Sequence, residues 1–431
     1  MALLERFPSA ERRFVLGALV LAAAALAFGA SGALGKGGAG KRGKHKAKMV
    51  GAVYGAVYTE TNGSPNQVIV FDRYANGTIK EAGAVATGGT GGHQLQPGCP
   101  SPCPILDTQG EVILTPNRKL LFAVNAGSDS ITSFRVTGTG LVKVGVTASG
   151  GPFPNSLTVH GNRLYVLDSG TGGTPPNIAG FRFSGNGKLT AIAGSIQPLV
   201  GGAIPGLPRQ IGFDKTGTVL VVTLLANTSG PPPAGGTSNT IDTFPVSGSG
   251  AAGAGTAHNS SSNFPFAFAI DPNNHAITAQ VDQLTGPPGS VASYNAAGGA
   301  MTTVNPGVSS GGNAPCWIVI TKNGNYAYVV NTGGGAPGGP NVAEYRLSSN
   351  GTLTSLGNTV AVSGEFANTD DALSADGKYL YVLSPLESGS SSMPGGNSHV
   401  DTYALETGGT LRFIGSTPSV SAPSLSGLAA R

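Results

Sequence analysis

Seven side chains in this sequence have types and positions that could bind and transform an acidic or ring-shaped ligand. Three of them are ionisable and are the candidate catalytic residues: Arg209, Glu111 and Asp370. Arg209 could orient a carboxylate or phosphate, because its planar guanidinium pairs with two oxygens at once, while Glu111 or Asp370 acts as the base. Four more could contact the same ligand: Asn155, Gln210, Trp317 and Phe266.

A repeated pattern of strands predicts how these residues come together. Seven aromatic residues recur at a spacing of roughly 50 residues, and each ends a short apolar strand: Phe71, Phe134, Phe181, Phe244, Tyr294, Tyr345 and Tyr403. In each repeat an opening strand such as FPNSLTVH precedes a densely apolar strand, the strand with the aromatic, and a short fourth strand. Seven copies predict an all-β fold, a seven-bladed β-propeller of four-stranded antiparallel blades. Its opening strands line a central channel, so the first residues of these strands should converge at one mouth.

The two ends of this repeat region are predicted to complete each other. The first repeat begins at GAVYTE without an opening strand, whereas APSLSGLAAR at the end looks like an opening strand with no repeat after it. We therefore expect residues 423–430 to form the innermost strand of the first blade. This closes the ring and removes exposed sheet edges, and the propeller then covers residues 50–431.

Several candidate residues also have a structural interpretation. Arg209 could form an ion pair with Asp370 or Glu111, and Trp317, the only tryptophan, could be a packed core residue. The adjacent Asp370 and Asp371 could bind a cation or could hydrogen-bond at a strand end. No metal site and no cofactor are predicted, because the six histidines are scattered and no pair has ligand spacing.

The charge distribution excludes one class of partner. Nine of the 25 basic residues and two of the 21 acidic residues lie in residues 1–48, which leaves 16 basic and 19 acidic residues for 49–431. A nucleic-acid-binding groove needs a basic stripe with interleaved aromatics, and the repeat region has none. The expected partner is a small molecule, a lactone or an acidic sugar, bound by a monomer.

The N-terminal residues predict export. Arg6, Arg12 and Arg13 precede the apolar stretch 14–30, so residues 1–33 read as a signal peptide, or alternatively as a retained membrane anchor. Residues 34–49 are predicted to be a disordered, Gly- and Lys-rich linker. Its basic part, 36–48, is either a solvated spacer or a weak attachment to an anionic envelope. The expected location is periplasmic, secreted or bound to the cell envelope.

The three cysteines fall into two groups. Cys99 and Cys103 lie in CPSPC within the Gly- and Pro-rich insertion 87–106, which also holds His93. An exported chain meets oxidising conditions, so these two either form a local disulfide or remain free thiols. Cys316 lies in an apolar strand and is interpreted as a buried small hydrophobic residue.

The order of the repeat phrases resembles the seven-bladed propeller lactonase family, which includes 6-phosphogluconolactonase-like and 3-carboxymuconate-cyclase-like proteins. The resemblance covers about 50–431 and is carried by LLFAVNAGSDSITSFRV, LPRQIGFDKTGTVLVVT, APCWIVITKNGNYAYVVNTG and DALSADGKYLYVL, among others. It implies hydrolysis of a sugar or carboxy-lactone at one channel mouth by a cluster of Arg, His and Glu. Arg209 in LPRQ matches the arginine of the family's P-R-H phrase.

The chain departs from that family at the residues that would transfer protons. Gln210 and Asn155 stand where active relatives have histidines, and the expected acidic residue falls in VVTLL, at Thr223, Leu224 or Leu225. These side chains cannot exchange protons near neutral pH. Two hypotheses therefore stay open: an exported lactone hydrolase of this family, and a catalytically inactive extracytoplasmic propeller that binds a ligand or a protein.

Overall fold

The computed structural model describes most of the repeat region. The described residues are 51–92, 106–200, 205, 207–225, 240–261, 264–281, 289–332, 340–360, 365–387, 397–418, 420–421 and 425–431. The predicted signal peptide, the basic linker, His93 and the Cys99–Cys103 pair lie outside them. No helix in the described part of the chain is long and apolar enough to cross a membrane.

Seven antiparallel sheets form the seven blades of the predicted propeller, which confirms the fold class. From its outer to its inner edge, the first blade consists of Ile79–Ala86, Gln67–Tyr74, Val53–Glu60 and Ser426–Ala430. From inner to outer edge, the second blade consists of Val112–Leu114, Leu120–Asn125, Ser130–Thr137 and Gly140–Ala148. The third consists of Pro154–His160, Arg163–Asp168, Asn177–Phe183 and Leu189–Ala191, with Gln197–Pro198 also beside its third strand.

The remaining four blades repeat this order along the chain. The fourth consists of Pro208–Phe213, Val219–Leu224, Thr240–Pro245 and Thr256–Asn259, and the fifth of Pro265–Ile270, His275–Gln280, Ser290–Asn295 and Thr302–Ser309. The sixth consists of Pro315–Ile320, Tyr326–Asn331, Asn341–Leu347 and Leu353–Val360. The seventh consists of Glu365–Leu373, Tyr379–Glu387, Asn397–Leu405 and Leu411–Ser416, with Val420–Ser421 beside its third strand. Single 3-10 turns lie at Ala126–Ser128 and Ala297–Gly299.

The seven repeated aromatics all lie in the third strand of their blades and are buried. They do not end these strands, because each strand continues for one to three further residues, as from Phe71 to Tyr74 or from Tyr294 to Asn295. Side chains on alternate sides of a strand face the two neighbouring blades. The repeated aromatic therefore fills the space between adjacent sheets.

The ring closes through the C-terminal strand, as the sequence predicted. Ser426–Ala430 pairs antiparallel with Val53–Glu60, with Tyr58 opposite Ala429 and Val57 opposite Ala430. The pairing begins three residues later than the predicted 423–430. Arg73 reinforces the closure, since its Nε donates to the carbonyl of Arg431 (2.9 Å) and its Nη1 contacts Asp376 of the seventh blade (3.3 Å).

Tyrosine hydroxyls tie several neighbouring blades together. Tyr58, Tyr165, Tyr328 and Tyr381 all lie in second strands. Each donates to a backbone carbonyl in the outer hairpin of the following blade: Thr139 (3.0 Å), Gly250 (2.6 Å), Gly409 (3.0 Å) and Gly77 (3.0 Å), respectively. Burial raises the pKa of these phenols, for Tyr58 and Tyr165 to about 12. They therefore stay protonated and able to donate.

Adjacent innermost strands are joined by side chains instead of by a backbone ladder. Ser156 Oγ accepts from the backbone N–H of Ile211 (3.1 Å), and Thr158 Oγ1 accepts from that of Phe213 (3.2 Å). Gln210 Oε1 accepts from the N–H of Phe268 (2.7 Å). A buried backbone N–H without a partner is costly, so these polar side chains satisfy the inner edge of the ring. Thr158 and Gln210 also line its channel.

Candidate functional site

The predicted mouth is closed by residues 106–110, which we call the closing segment. It leads from the first blade, where Ser426 Oγ accepts from the N–H of Leu106 (3.3 Å), to the innermost strand of the second blade. Its polar run, DTQG, carries no strand signal in the sequence, and its function as a closure was not predicted.

Gln109 of the closing segment contacts four other blades. Its Nε2 donates to the carbonyl of Ile318 (3.0 Å) and lies 3.4 Å from Asp371 Oδ1, and its backbone N–H donates to the carbonyl of Arg209 (3.3 Å). Its own carbonyl accepts from Ser156 Oγ (2.6 Å). These bonds reach the third, fourth, sixth and seventh blades, so the closing segment spans the channel.

Thr108 joins three of the predicted residues. Trp317 Nε1 donates to the Thr108 carbonyl (2.6 Å). The Thr108 hydroxyl lies 2.6 Å from Glu111 Oε1 and 2.8 Å from the carbonyl of Asn155. One hydroxyl carries one proton, so both contacts are satisfied when Glu111 is protonated and donates to Thr108, which in turn donates to Asn155. Burial, together with the charge of Asp370, raises the pKa of Glu111 well above its usual value, in agreement with this arrangement.

Arg209 lies in a second cluster at the same end. Its Nε is 3.9 Å from Asp107 Oδ2, its guanidinium lies over the ring of Phe266 (5.5 Å), and that ring meets Trp317 edge-on (5.2 Å). From the sequence, Arg209 could form an ion pair with Asp370 or Glu111, but the carboxylate beside Arg209 in the structure is that of Asp107. Burial lowers the pKa of Arg209 and the nearby Asp107 charge raises it. The arginine therefore acts here as a packed, paired side chain.

The carboxyls of this region are buried and favour the protonated state. Burial raises the pKa of Asp370 to about 8 and, with the charge of Asp370, raises that of Asp371. Asp370 also has a left-handed backbone (φ +48°), and its Oδ1 accepts from the N–H of Asp371 (2.7 Å). A protonated carboxyl donates hydrogen bonds but cannot accept a proton from water, so these groups are poor bases at neutral pH.

The predicted site residues divide into two sets. Arg209, Glu111, Asn155, Trp317 and Phe266 are buried around the closing segment. Gln210 and Asp370 instead line the central channel on the inner side of that segment. Asn155 donates its amide to the carbonyl of Pro208 (3.0 Å). The predicted site residues therefore lie close together, although most of them are held in an internal hydrogen-bonded network.

The channel holds a cavity of about 490 Å³ between the innermost strands. Gln109 of the closing segment, Gln210 and Asp371 lie at its inner end. Residues at or just beyond the strand ends lie at its other end, among them the exposed Pro116 and the half-buried Arg118. The cavity therefore opens at the end of the ring opposite to the predicted mouth.

Cys316 is a free, buried cysteine, as the sequence predicted. Burial raises the pKa of its thiol well above its usual value, with the charge of Asp107 acting in the same direction. Within the described residues no group of three His, Cys, Asp or Glu side chains is placed to hold a metal ion.

Comparison with known proteins supports the fold. No family model and no curated protein matches the chain. Among solved structures it is similar to a proposed 6-phosphogluconolactonase from Bacteroides uniformis, with 14% identity and a TM-score of 0.61, covering 86% of this chain and 98% of that one. It is also similar to the periplasmic gluconolactonase PpgL of Pseudomonas aeruginosa, with 19% identity and a TM-score of 0.53, covering 69% and 82%.

A third similar structure shows that this likeness extends beyond gluconolactonases. It is a hypothetical selenium-binding protein from Sulfolobus tokodaii, with 13% identity and a TM-score of 0.59, covering 86% of this chain and 94% of that one. One fold can carry unrelated activities. The neighbours are therefore consistent with the lactonase-like propeller that the sequence resembles, and what they establish is the fold.

Proposed function

We propose that this protein is a lactonase-like propeller that binds a small molecule without hydrolysing it, and that the ligand enters the channel from its open end. One observation carries the proposal. Two of the three predicted catalytic side chains, Arg209 and Glu111, are 0% and 1% exposed, and the closing segment bonds across the mouth where a lactone would have to bind. A base must come within hydrogen-bond reach of the proton that it removes.

The chemistry at the mouth supports the same proposal. Glu111, Asp370 and Asp371 have raised pKa values and favour the neutral acid, and Gln210 and Asn155 replace the histidines of the resembled family. In contrast, the open cavity has the volume and the mixed polar and apolar lining of small-molecule sites. The signal-peptide pattern of residues 1–33 supports an extracytoplasmic location, as does the periplasmic neighbour PpgL.

Lactone hydrolysis remains the second candidate function. The fold likeness to a proposed 6-phosphogluconolactonase and to a gluconolactonase favours it, and so does the clustering of buried carboxyls with perturbed pKa values, which is common at catalytic sites. In that case the closing segment would have to open.

Rate measurements distinguish the two candidates. The full chain and its Glu111→Gln variant are assayed on a panel of sugar and aromatic lactones. The variant keeps the size of the side chain and an oxygen that can contact Thr108. We expect the two proteins to give the same rate, equal to that of the buffer. A rate for the wild type at least tenfold above that of the variant, on any lactone, would overturn the proposal.

Binding is measured separately from turnover. Ala269 is partly exposed in the wall of the cavity, so Ala269→Phe narrows the channel. A ligand at 100 times its dissociation constant stabilises a protein by about 2.7 kcal/mol. We expect a channel ligand to raise the melting temperature of the wild type and to have little effect on that of Ala269→Phe. Equal shifts in both proteins would place binding outside the channel.

A further inference from the structure

Among the described residues that line the cavity, one carries a basic side chain. Arg118 lies in the turn after Val112–Leu114, is half-buried, and lines the cavity. Its backbone N–H donates to the carbonyl of Thr115 (2.7 Å), but its guanidinium makes no ion pair or hydrogen bond with any residue in the described part of the chain. The other ionisable residues that line the cavity are Asp370 and Asp371, at its inner end. An anionic group at the open end would therefore meet a cation, while the carboxyls of the lining lie at the other end of the cavity.

The inner end of the channel presents a hydrogen-bond donor. Gln210 is half-buried and lines the cavity, and its Oε1 already accepts from the N–H of Phe268 (2.7 Å). Its Nε2 therefore remains a donor, with no partner among the described residues. This donor calls for an acceptor on the ligand, and a carbonyl oxygen meets that need.

Apolar side chains separate the two polar ends. The partly exposed lining between them is mainly aliphatic, and includes Ile113, Leu114, Ala269, Ile270, Val319 and Leu373. From Gln210 to Phe213 the strand advances three residues, which is roughly 10 Å at the usual rise of a β-strand. A ligand that fills the channel and contacts the polar groups at both ends is therefore extended, with an apolar body and two different polar ends.

We propose that the channel binds an aliphatic oxo-carboxylate, whose carboxylate pairs with Arg118 at the open end and whose carbonyl accepts from Gln210 at the inner end. This inference rests on the proposed binding function and specifies its ligand class. The guanidinium holds a carboxylate through two parallel bonds, the apolar walls exclude water around the chain, and the Gln210 amide selects a carbonyl over a methyl group.

Calorimetric titration of the full chain tests both ends with four simple probes: 7-oxooctanoate, octanoate, 2-octanone and octylamine. We expect 7-oxooctanoate to bind most tightly and octylamine most weakly. Arg118→Gln should raise the dissociation constant of 7-oxooctanoate at least tenfold and leave that of 2-octanone unchanged. Arg135→Gln is the matched control, because Arg135 is an exposed arginine in the third strand of the same blade.

A second variant tests the inner end. Gln210→Met keeps the length of the side chain and a sulfur that can accept weakly from the N–H of Phe268, but it removes the donating amide. It should abolish the preference for 7-oxooctanoate over octanoate while both still depend on Arg118. This comparison separates a specific carbonyl contact from a general loss of channel shape.

Two different failures are distinguishable. If 2-octanone and octylamine bind as tightly as 7-oxooctanoate, and Ala269→Phe weakens them all, then the channel binds ligands but the oxo-carboxylate class is wrong. If no probe binds the wild type, or if Ala269→Phe binds them all as the wild type does, then both this inference and the proposed binding function are contradicted.

Discussion

Asp370 shows at the scale of one residue how burial determines the chemistry of this protein. Its side chain is buried near Glu111 and Asp371, and burial raises its pKa to about 8. The unfolded chain releases this proton at a much lower pH. Because the folded state holds the proton more tightly, this contribution to stability is complete below the unfolded pKa and is lost as the pH rises through the folded value.

The pH dependence of unfolding tests this interpretation. Between about pH 5 and 7 the folded state holds up to one more proton at Asp370, so stability should fall with rising pH by as much as about 1.4 kcal/mol per unit from this group. Asp370→Asn should reduce that slope, since asparagine does not titrate and tolerates the left-handed backbone. Denaturant unfolding at several pH values measures it, with the exposed Glu81→Gln as the control. An unchanged slope in Asp370→Asn would show that this carboxyl is ionised in the folded state.

At the scale of strands and hairpins, the contacts between blades depend on close packing of turns against aromatic rings. The hairpin glycine Gly77 has φ +85° and lies against Tyr379 of the seventh blade, so a Cβ there would come within 2.3 Å of the ring. The neighbouring Tyr381 donates to the carbonyl of the same glycine (3.0 Å). A turn residue in one blade thus positions the second strand of another.

Substitution of two glycines separates backbone strain from this contact. Gly138, in the matching turn of the second blade, also has a left-handed backbone (φ +57°), but a Cβ added there would meet no atom within 4 Å. Gly138→Ala should cost about 1 kcal/mol of unfolding free energy, from strain alone. Gly77→Ala should cost at least twice as much, because the ring of Tyr379 must also move. Equal losses in a denaturant titration would contradict the role of the ring contact.

At the scale of the whole molecule, the sequence predicted the ring better than its mouth. The seven aromatics, the opening strands and the closure by the C-terminal strand follow from local periodicity, and the structure confirms them. The sequence also predicted that Arg209, Trp317 and Phe266 lie close together, because each is near the start of an opening strand. Their site roles stay predictions.

The closure of that mouth could not be predicted in the same way. Asp107, Thr108 and Gln109 form no repeat, and each contacts residues roughly 50 to 260 positions away in the chain. Such partners are determined by how the blades close into a ring, and a single sequence carries no local signal for them. For the same reason the sequence does not single out Arg118, which lies beside the cavity in the structure.

Closure of the propeller mouth by the closing segment can be measured through one side chain. Trp317 is the only tryptophan and donates to the Thr108 carbonyl of that segment, so its fluorescence reports on the closure directly. The measurement is quenching of this fluorescence by iodide, an anion that does not enter packed protein, in the folded full chain and in the chain unfolded by denaturant. A closed mouth predicts that quenching in the folded protein is at least tenfold weaker than in the unfolded chain. Quenching of the folded protein that approaches the unfolded value would contradict the closure, because the mouth would then be open to solvent.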